Sequence, residues 1–131
     1  MRYVTVVCDD EEDLNSIEEA FVAHPNNFSI KPIRSAALLL SHLGQQDGVN
    51  TPCLIIINNY LPDMDSLKLL QSLKKNSEYK LIPVAIMAGF ATEDTIKQYY
   101  LAGANCFYKK PLEKHEWVHM ADCLITLFCR A

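Results

Sequence analysis

The stretch Cys53-Leu54-Ile55-Ile56-Ile57-Asn58-Asn59-Tyr60-Leu61-Pro62-Asp63-Met64-Asp65-Ser66 decides how this chain folds. Leu54 to Ile57 has no alternation of polar and apolar residues, which is the pattern of a strand covered on both faces. The run stops at Asn58 and passes through a loop rich in turn-forming residues. The spacing then predicts a helix over Ser66 to Lys75, with Leu67, Leu70 and Leu73 on one side. A doubly covered strand followed by an amphipathic helix is the repeating unit of a parallel α/β sheet.

The same unit recurs on either side. Tyr3 to Cys8 is a β-branched run that ends in the acidic cluster Asp9 to Asp13, after which Leu14, Ile17, Phe21 and Val22 recur at helical spacing up to Pro25. Phe28 to Ile33 reads as a strand whose Pro32 lacks a backbone donor, so an edge position is expected. Ser35 to Leu43 reads as a helix with Ser35 as its cap and Gly44 as its stop. Pro83 to Met87 is a fourth strand, Thr92 to Leu101 a helix capped by Thr92, and Cys106 to Tyr108 a short fifth strand. Pro111 to Phe128 carries a last helix with a stripe of Trp117, Met120, Ala121, Leu124, Ile125 and Phe128. Five strands alternating with five helices imply a parallel sheet with helices on both faces and right-handed crossovers. One domain over residues 1–131 is expected, with Gln45 to Pro52 as the only linker-like loop.

Composition narrows the classes. Half of the 131 residues are apolar and the net charge is -4, so nothing favours nucleic acid or an anionic membrane. No apolar run approaches the roughly 20 residues that span a bilayer. The N-terminus is not a secretory signal, and a cytoplasmic location is expected. Cys8, Cys53, Cys106, Cys123 and Cys129 show no metal-ligand spacing and are expected to be free thiols, mostly buried.

Sites in such sheets form outside the carboxyl ends of the strands. The residues there are Asp9-Asp10, Asn58, Ala88-Gly89 and Lys109-Lys110-Pro111. Together with Leu61-Pro62-Asp63-Met64-Asp65, Ile82-Pro83-Val84, Gly103-Ala104 and Phe107, they resemble the receiver domain of two-component response regulators over essentially the whole chain. The resemblance implies a doubly wound (βα)5, flavodoxin-like fold with strand order 2-1-3-4-5. It implies a pocket in which an acidic pair and an acceptor aspartate hold Mg²⁺, a lysine meets the phosphoryl group, a Ser or Thr senses it and an aromatic side chain turns inward. It also implies a cis bond before Pro111.

Two positions depart from that pattern. Asn58 stands at the acceptor position, and a carboxamide cannot form the acyl phosphate that a carboxylate can. Ala88, five residues after Pro83, stands at the Ser/Thr position. Phe107 keeps the aromatic position, and Ser66 replaces a glycine of the loop. Asp9, Asp10 and Lys110 amount to two carboxylates and one ammonium, formally -1, against the family's -2. Weak Mg²⁺ or none is therefore expected, with Asp9, Asp10 and the Tyr60 carbonyl as ligands. Lys110 is expected to pair with Asp9, Asp10 or the Asn58 oxygen. Glu11, Glu12 and Asp13 read as solvated helix-start residues, and Asp63 and Asp65 as poorly placed substitutes for the acceptor. His115 and His119 have a metal-compatible spacing but read as a surface pair.

The function expected is a pseudo-receiver, a signalling module that acts by phosphorylation-independent protein contact. Its partner, a sensor kinase or downstream effector, would be bound in trans because no output domain follows Phe128. A homodimer through a Tyr99/Tyr100/Tyr108 face is a further expectation. An adaptor or competitor that binds a histidine kinase is the alternative. A small flavodoxin-like enzyme is disfavoured, since acids stand where a phosphate loop would be.

Overall fold

The computed structural model describes residues 3–26, 28–45 and 51–129. The elements run β1 (Tyr3–Val7), α1 (Glu11–Val22), β2 (Ser29–Ile33), α2 (Ala36–Gly44), β3 (Leu54–Asn58), α3 (Ser66–Lys75), β4 (Val84–Ala88), α4 (Glu93–Leu101), β5 (Cys106–Lys109) and α5 (Lys114–Phe128). All five strands are parallel, in the order β2-β1-β3-β4-β5. This is the doubly wound, flavodoxin-like sheet expected from the alternation of elements. Most of the anticipated loop from Gln45 to Pro52 lies outside the described residues.

Burial follows strand position. β3 and β4 have neighbours on both sides and are buried at every residue, whereas the edge strand β2 buries only Ile33. Pro32 sits in that edge strand opposite Val6, where its missing N–H breaks no ladder toward a further strand. Period-two alternation divides the core. Val4, Val6, Cys8, Leu54, Ile56, Ala85 and Met87 pack against α1 and α5. Val7, Ile55, Ile57, Val84 and Ile86 pack against α2, α3 and the Tyr99 side of α4. The registers Val7↔Ile57 and Ile57↔Ile86 bring the carboxyl ends of the central strands to one edge of the sheet.

Local chemistry sets the helix ends. Ser35 and Thr92 cap α2 and α4 through their hydroxyls, which accept the Leu38 and Thr95 N–H groups. Gly44 is the last residue of α2 rather than its stop, because Gln45 takes the C-cap in a right-handed conformation. Glu113 and Glu116 form a capping box at α5, so that helix starts at Lys114, three residues after the expected start at Pro111. Gly103 does need its freedom: its φ is 109°, and a Cβ there would meet the Lys74 Cγ at 2.9 Å. Lys74 is fixed in turn by donating to the carbonyls of Lys80 and Ile82 and to Asn105 Oδ1. Burial holds its ammonium below the usual lysine range.

Two expectations are corrected here. Cys53 and Cys129 form a disulfide with Cα atoms 5.4 Å apart, so only Cys8, Cys106 and Cys123 are free. The fold brings the entry of β3 against the end of α5, a proximity that linear spacing does not reveal. Of the free thiols only Cys8 is buried, and Cys123 is exposed. No cis peptide bond occurs among the described residues, so the Lys110–Pro111 bond is trans. No described helix is long and apolar enough to cross a membrane.

Candidate functional site

Asn58 is the last residue of β3 and is only 4 % exposed. Its Nδ2 donates to the Tyr60 carbonyl at 3.0 Å, and its main-chain carbonyl accepts the Ser66 hydroxyl at 2.7 Å. Its side-chain Oδ1 is buried and has no hydrogen-bond partner among the described residues. A buried, unpaired amide oxygen costs free energy and is suited to a hard cation or an ammonium. The carboxamide thus lies at the mouth of the sheet with one end spent on its own loop.

Ser66 gives that loop its shape. It is almost fully buried, and its hydroxyl ties the start of α3 to the end of β3. The sequence marked it only as a departure from glycine. The carboxylates of the same loop are committed elsewhere. Asp63 accepts the N–H groups of Ala36 and Ala37, both at 3.0 Å, at the start of α2, and Asp65 caps α3 through the Leu67 N–H. Both are spent on helix starts.

The two backbone donors hold the Asp63 carboxyl below its ordinary value. A carboxyl with a lowered folded pKa adds stability above its unfolded value, near 4, and loses it as pH falls through the folded value. Asp63→Asn is therefore expected to be less stable than the native chain at pH 7, with the gap closing as pH drops below 4. Denaturant midpoints across pH check this.

Asp9 and Asp10 follow β1 and are exposed. Asp10 is also the N-cap of α1, its carboxylate accepting the Asp13 N–H at 3.0 Å. Lys110 follows β5, and its N–H donates to the carbonyl of Ala88 at 2.8 Å. Its ammonium does not pair with Asp9, Asp10 or Asn58. It pairs with Asp13 Oδ2 at 2.7 Å, with the two side chains 24 % and 17 % exposed. Asp13 lies in the first turn of α1, on the side facing the strand ends, so it is not the solvated residue expected of it. Its three-residue spacing from the capping Asp10 was the available signal. Glu11, by contrast, stays at the surface and binds Arg34 at 2.7 Å.

Ala88 ends β4 and is buried, with no hydroxyl at that position. Phe107 on β5 is half-buried on the α3/α4 side, its ring centroid 5.6 Å from that of Tyr99. Tyr99, Tyr100 and Tyr108 do not form one face. Tyr99 is 4 % exposed in one core, and Tyr108 packs against the opposite core with its hydroxyl buried. Burial, then the nearby Cys106, Cys8 and Asp13, push the Tyr108 hydroxyl well above the usual tyrosine range. Only Tyr100 is well exposed, and its hydroxyl accepts the Phe107 N–H at 3.0 Å. β alternation sends neighbouring aromatic residues to opposite faces. His115 lies at the surface beside Glu113 and Glu116, and His119 contacts Cys123 at 3.7 Å.

A metal would find Asp9, Asp10, the Asn58 Oδ1 and the remaining lone pair of the Tyr60 carbonyl. These are hard oxygen donors of the kind Mg²⁺ and Mn²⁺ take. The orphaned Asn58 oxygen fits such an ion.

A family model described as "Response regulator receiver domain" matches residues 5–122. Similar curated proteins include the two-component response regulator ORR11 of Oryza sativa subsp. indica, 29% identical over 103 residues, covering 76% of this chain and 68% of the relative. Another is the response regulator Rcp1 of Synechocystis sp., 24% identical over 112 residues, covering 83% of this chain and 76% of that protein. Among solved structures, the phosphorylated cyanobacterial phytochrome response regulator RcpA shares the fold with a TM-score of 0.87 at 21% identity, over 98% of this chain and 94% of the other. The Mn(2+)-bound form of Rcp1 does so with a TM-score of 0.84 at 22% identity, over 96% and 93%.

Proposed function

The chain belongs to the response regulator receiver family, and from that premise we propose that it is a signalling module that works by protein contact without accepting a phosphoryl group. One observation carries the reading: the side chain that ends β3 is a carboxamide, buried and bound to its own loop. Phosphoryl acceptance needs an oxygen nucleophile whose lone pair attacks phosphorus while the donor's leaving group departs. The amide oxygen of Asn58 carries no full charge. The loss of a hydroxyl at Ala88 agrees, because a sensor has no use where nothing is carried.

On this reading the protein is not an enzyme. Any Mg²⁺ or Mn²⁺ would be held weakly by Asp9, Asp10, Asn58 and the Tyr60 carbonyl, where it would neutralise charge. The partner, a kinase or an effector, is met at the surface. Around α4, Phe90 before its start and Leu101 at its end are 81 % and 88 % exposed, and Tyr100 is half-exposed. A second copy would pair there rather than through the three tyrosines.

The test is incubation of the native chain with an acyl phosphate donor and Mg²⁺, read by intact mass. No covalent increase is expected. Phosphorylation of any aspartate at an ordinary rate would sink the reading.

The exposed Asp9 and Asp10 favour one second reading, in which a sensor kinase still recognises this end of the sheet and is held unproductively. Pull-down against the cell's histidine kinases separates the two. Capture of a kinase supports the competitor, and capture of none leaves the effector.

A further inference from the structure

We propose that His119 and Cys123 form a thiolate–imidazole chelate for Zn²⁺ on the outer face of α5. The inference goes beyond the signalling reading and does not depend on what Asn58 can accept. The two side chains are four residues apart within α5, so they stand one above the other on one face of the helix. Both are exposed, and the Cys123 Sγ lies 3.7 Å from the His119 Nε2. Zn²⁺ takes sulfur at about 2.3 Å and imidazole nitrogen at about 2.0–2.1 Å, which at a tetrahedral angle sets the two donors about 3.6 Å apart. The pair therefore already has the bite that the ion needs, without a shift of the backbone.

The helix beneath the pair is fixed by packing. Met120, Ala121, Leu124 and Ile125 are buried in the core shared with α1, so the residues between them are presented outward on a rigid element. The donor set selects the ion. Thiolate and imidazole suit Zn²⁺, whereas Mg²⁺ takes oxygen donors. On binding, the Cys123 thiol gives its proton to solvent, and the neutral His119 imidazole offers its Nε2 lone pair. Water takes the remaining positions. His115, one turn earlier, is turned toward Glu113 at 3.3 Å and stays outside the chelate. Cysteine spacing alone could not show the pair, because its second donor is an imidazole. It also lies along a helix rather than at the strand ends, and its donors differ in kind from the oxygens there.

The test is calorimetric titration of the full chain with Zn²⁺. Air-free buffer without reductant keeps the Cys53–Cys129 bond closed and Cys123 a thiol, and excess Mg²⁺ occupies oxygen sites. One ion per chain is expected. His119→Ala and Cys123→Ser should each weaken binding about tenfold or more, and the double variant should be little weaker than either, because one lost donor already opens the chelate. His115→Gln should change affinity less than about twofold, since that side chain is not a ligand. Titration with Co²⁺ in place of Zn²⁺ should give a sulfur-to-metal charge-transfer band in the near ultraviolet that Cys123→Ser abolishes. All three positions are exposed, so the variants keep the core intact.

Zn²⁺ binding that survives Cys123→Ser would overturn the proposal, as would binding lost with His115→Gln. A native chain that takes up no Zn²⁺, or that shows no charge-transfer band with Co²⁺, would overturn it as well.

Discussion

Asn58→Asp is expected to make this protein dependent on divalent cations for stability and to give it a phosphoryl-accepting oxygen. The native carboxamide donates from Nδ2 to the Tyr60 carbonyl. A carboxylate has no donor to offer, so its oxygen would face that carbonyl at a position only 4 % exposed. A buried polar group that loses its partner costs about 1–3 kcal/mol, and more when charged. Thermal or urea unfolding without metal should therefore show a loss of at least this size. Mg²⁺ reverses the loss, because the new carboxylate and the Tyr60 carbonyl would then both be ligands. With Mg²⁺ and an acyl phosphate donor the variant should gain a covalent phosphoryl group, where the native chain gains none. Equal stability with and without Mg²⁺ would contradict the geometry of the Asn58 loop. Because Lys110 is already engaged by Asp13, labelling should quicken when Asp13→Asn is added.

Removal of the Cys53–Cys129 disulfide has the second large expected effect. The bond joins residues 76 apart in sequence, linking the entry of β3 to the end of α5. Opening it returns loop-closure entropy to the unfolded chain, for which a loss of about 2–4 kcal/mol is typical. Cys129→Ser should show this under non-reducing conditions, and a reductant should bring the native chain to the same midpoint. The loss should fall on stability rather than on the pocket, since the disulfide lies at the amino-terminal end of β3 and Asn58 at the other. Midpoints unchanged by reductant would show that the bond contributes no stability. Altered Mn²⁺ affinity in Cys129→Ser would show that the two ends of the sheet are coupled.

Periodicity made the layers legible. Leu54 to Ile57 and Val84 to Met87 are apolar without alternation because both faces of β3 and β4 are covered, and helical stripes such as Trp117 to Ile125 pointed inward as read. Boundaries moved by a few residues where capping overruled pattern, as at Glu113 before α5 and Gln45 after α2. The pocket was legible as an address. Asp9, Asp10, Asn58, Ala88 and Lys110 all lie at or just after strand ends, because a parallel sheet gathers those ends along one edge. Which of them touch was not legible. Lys110 could reach several oxygens, and the choice of Asp13 depends on how α1 is rotated by its packing against α5. The tyrosines failed for a related reason: proximity in sequence does not tell which layer a side chain enters when strand and helix alternate.

By itself, then, the order of residues determined what the end of β3 can do, since an amide is no nucleophile wherever it is placed. It also determined the sheet, because runs of buried β-branched residues between amphipathic helices satisfy their backbones and bury their surfaces in few other ways. Only the tertiary structure decided the pairings: Lys110 with Asp13, Cys53 with Cys129, and Asp63 with the start of α2. Pairings over such separations depend on distances that packing fixes to an ångström, and one-dimensional spacing carries no such distance.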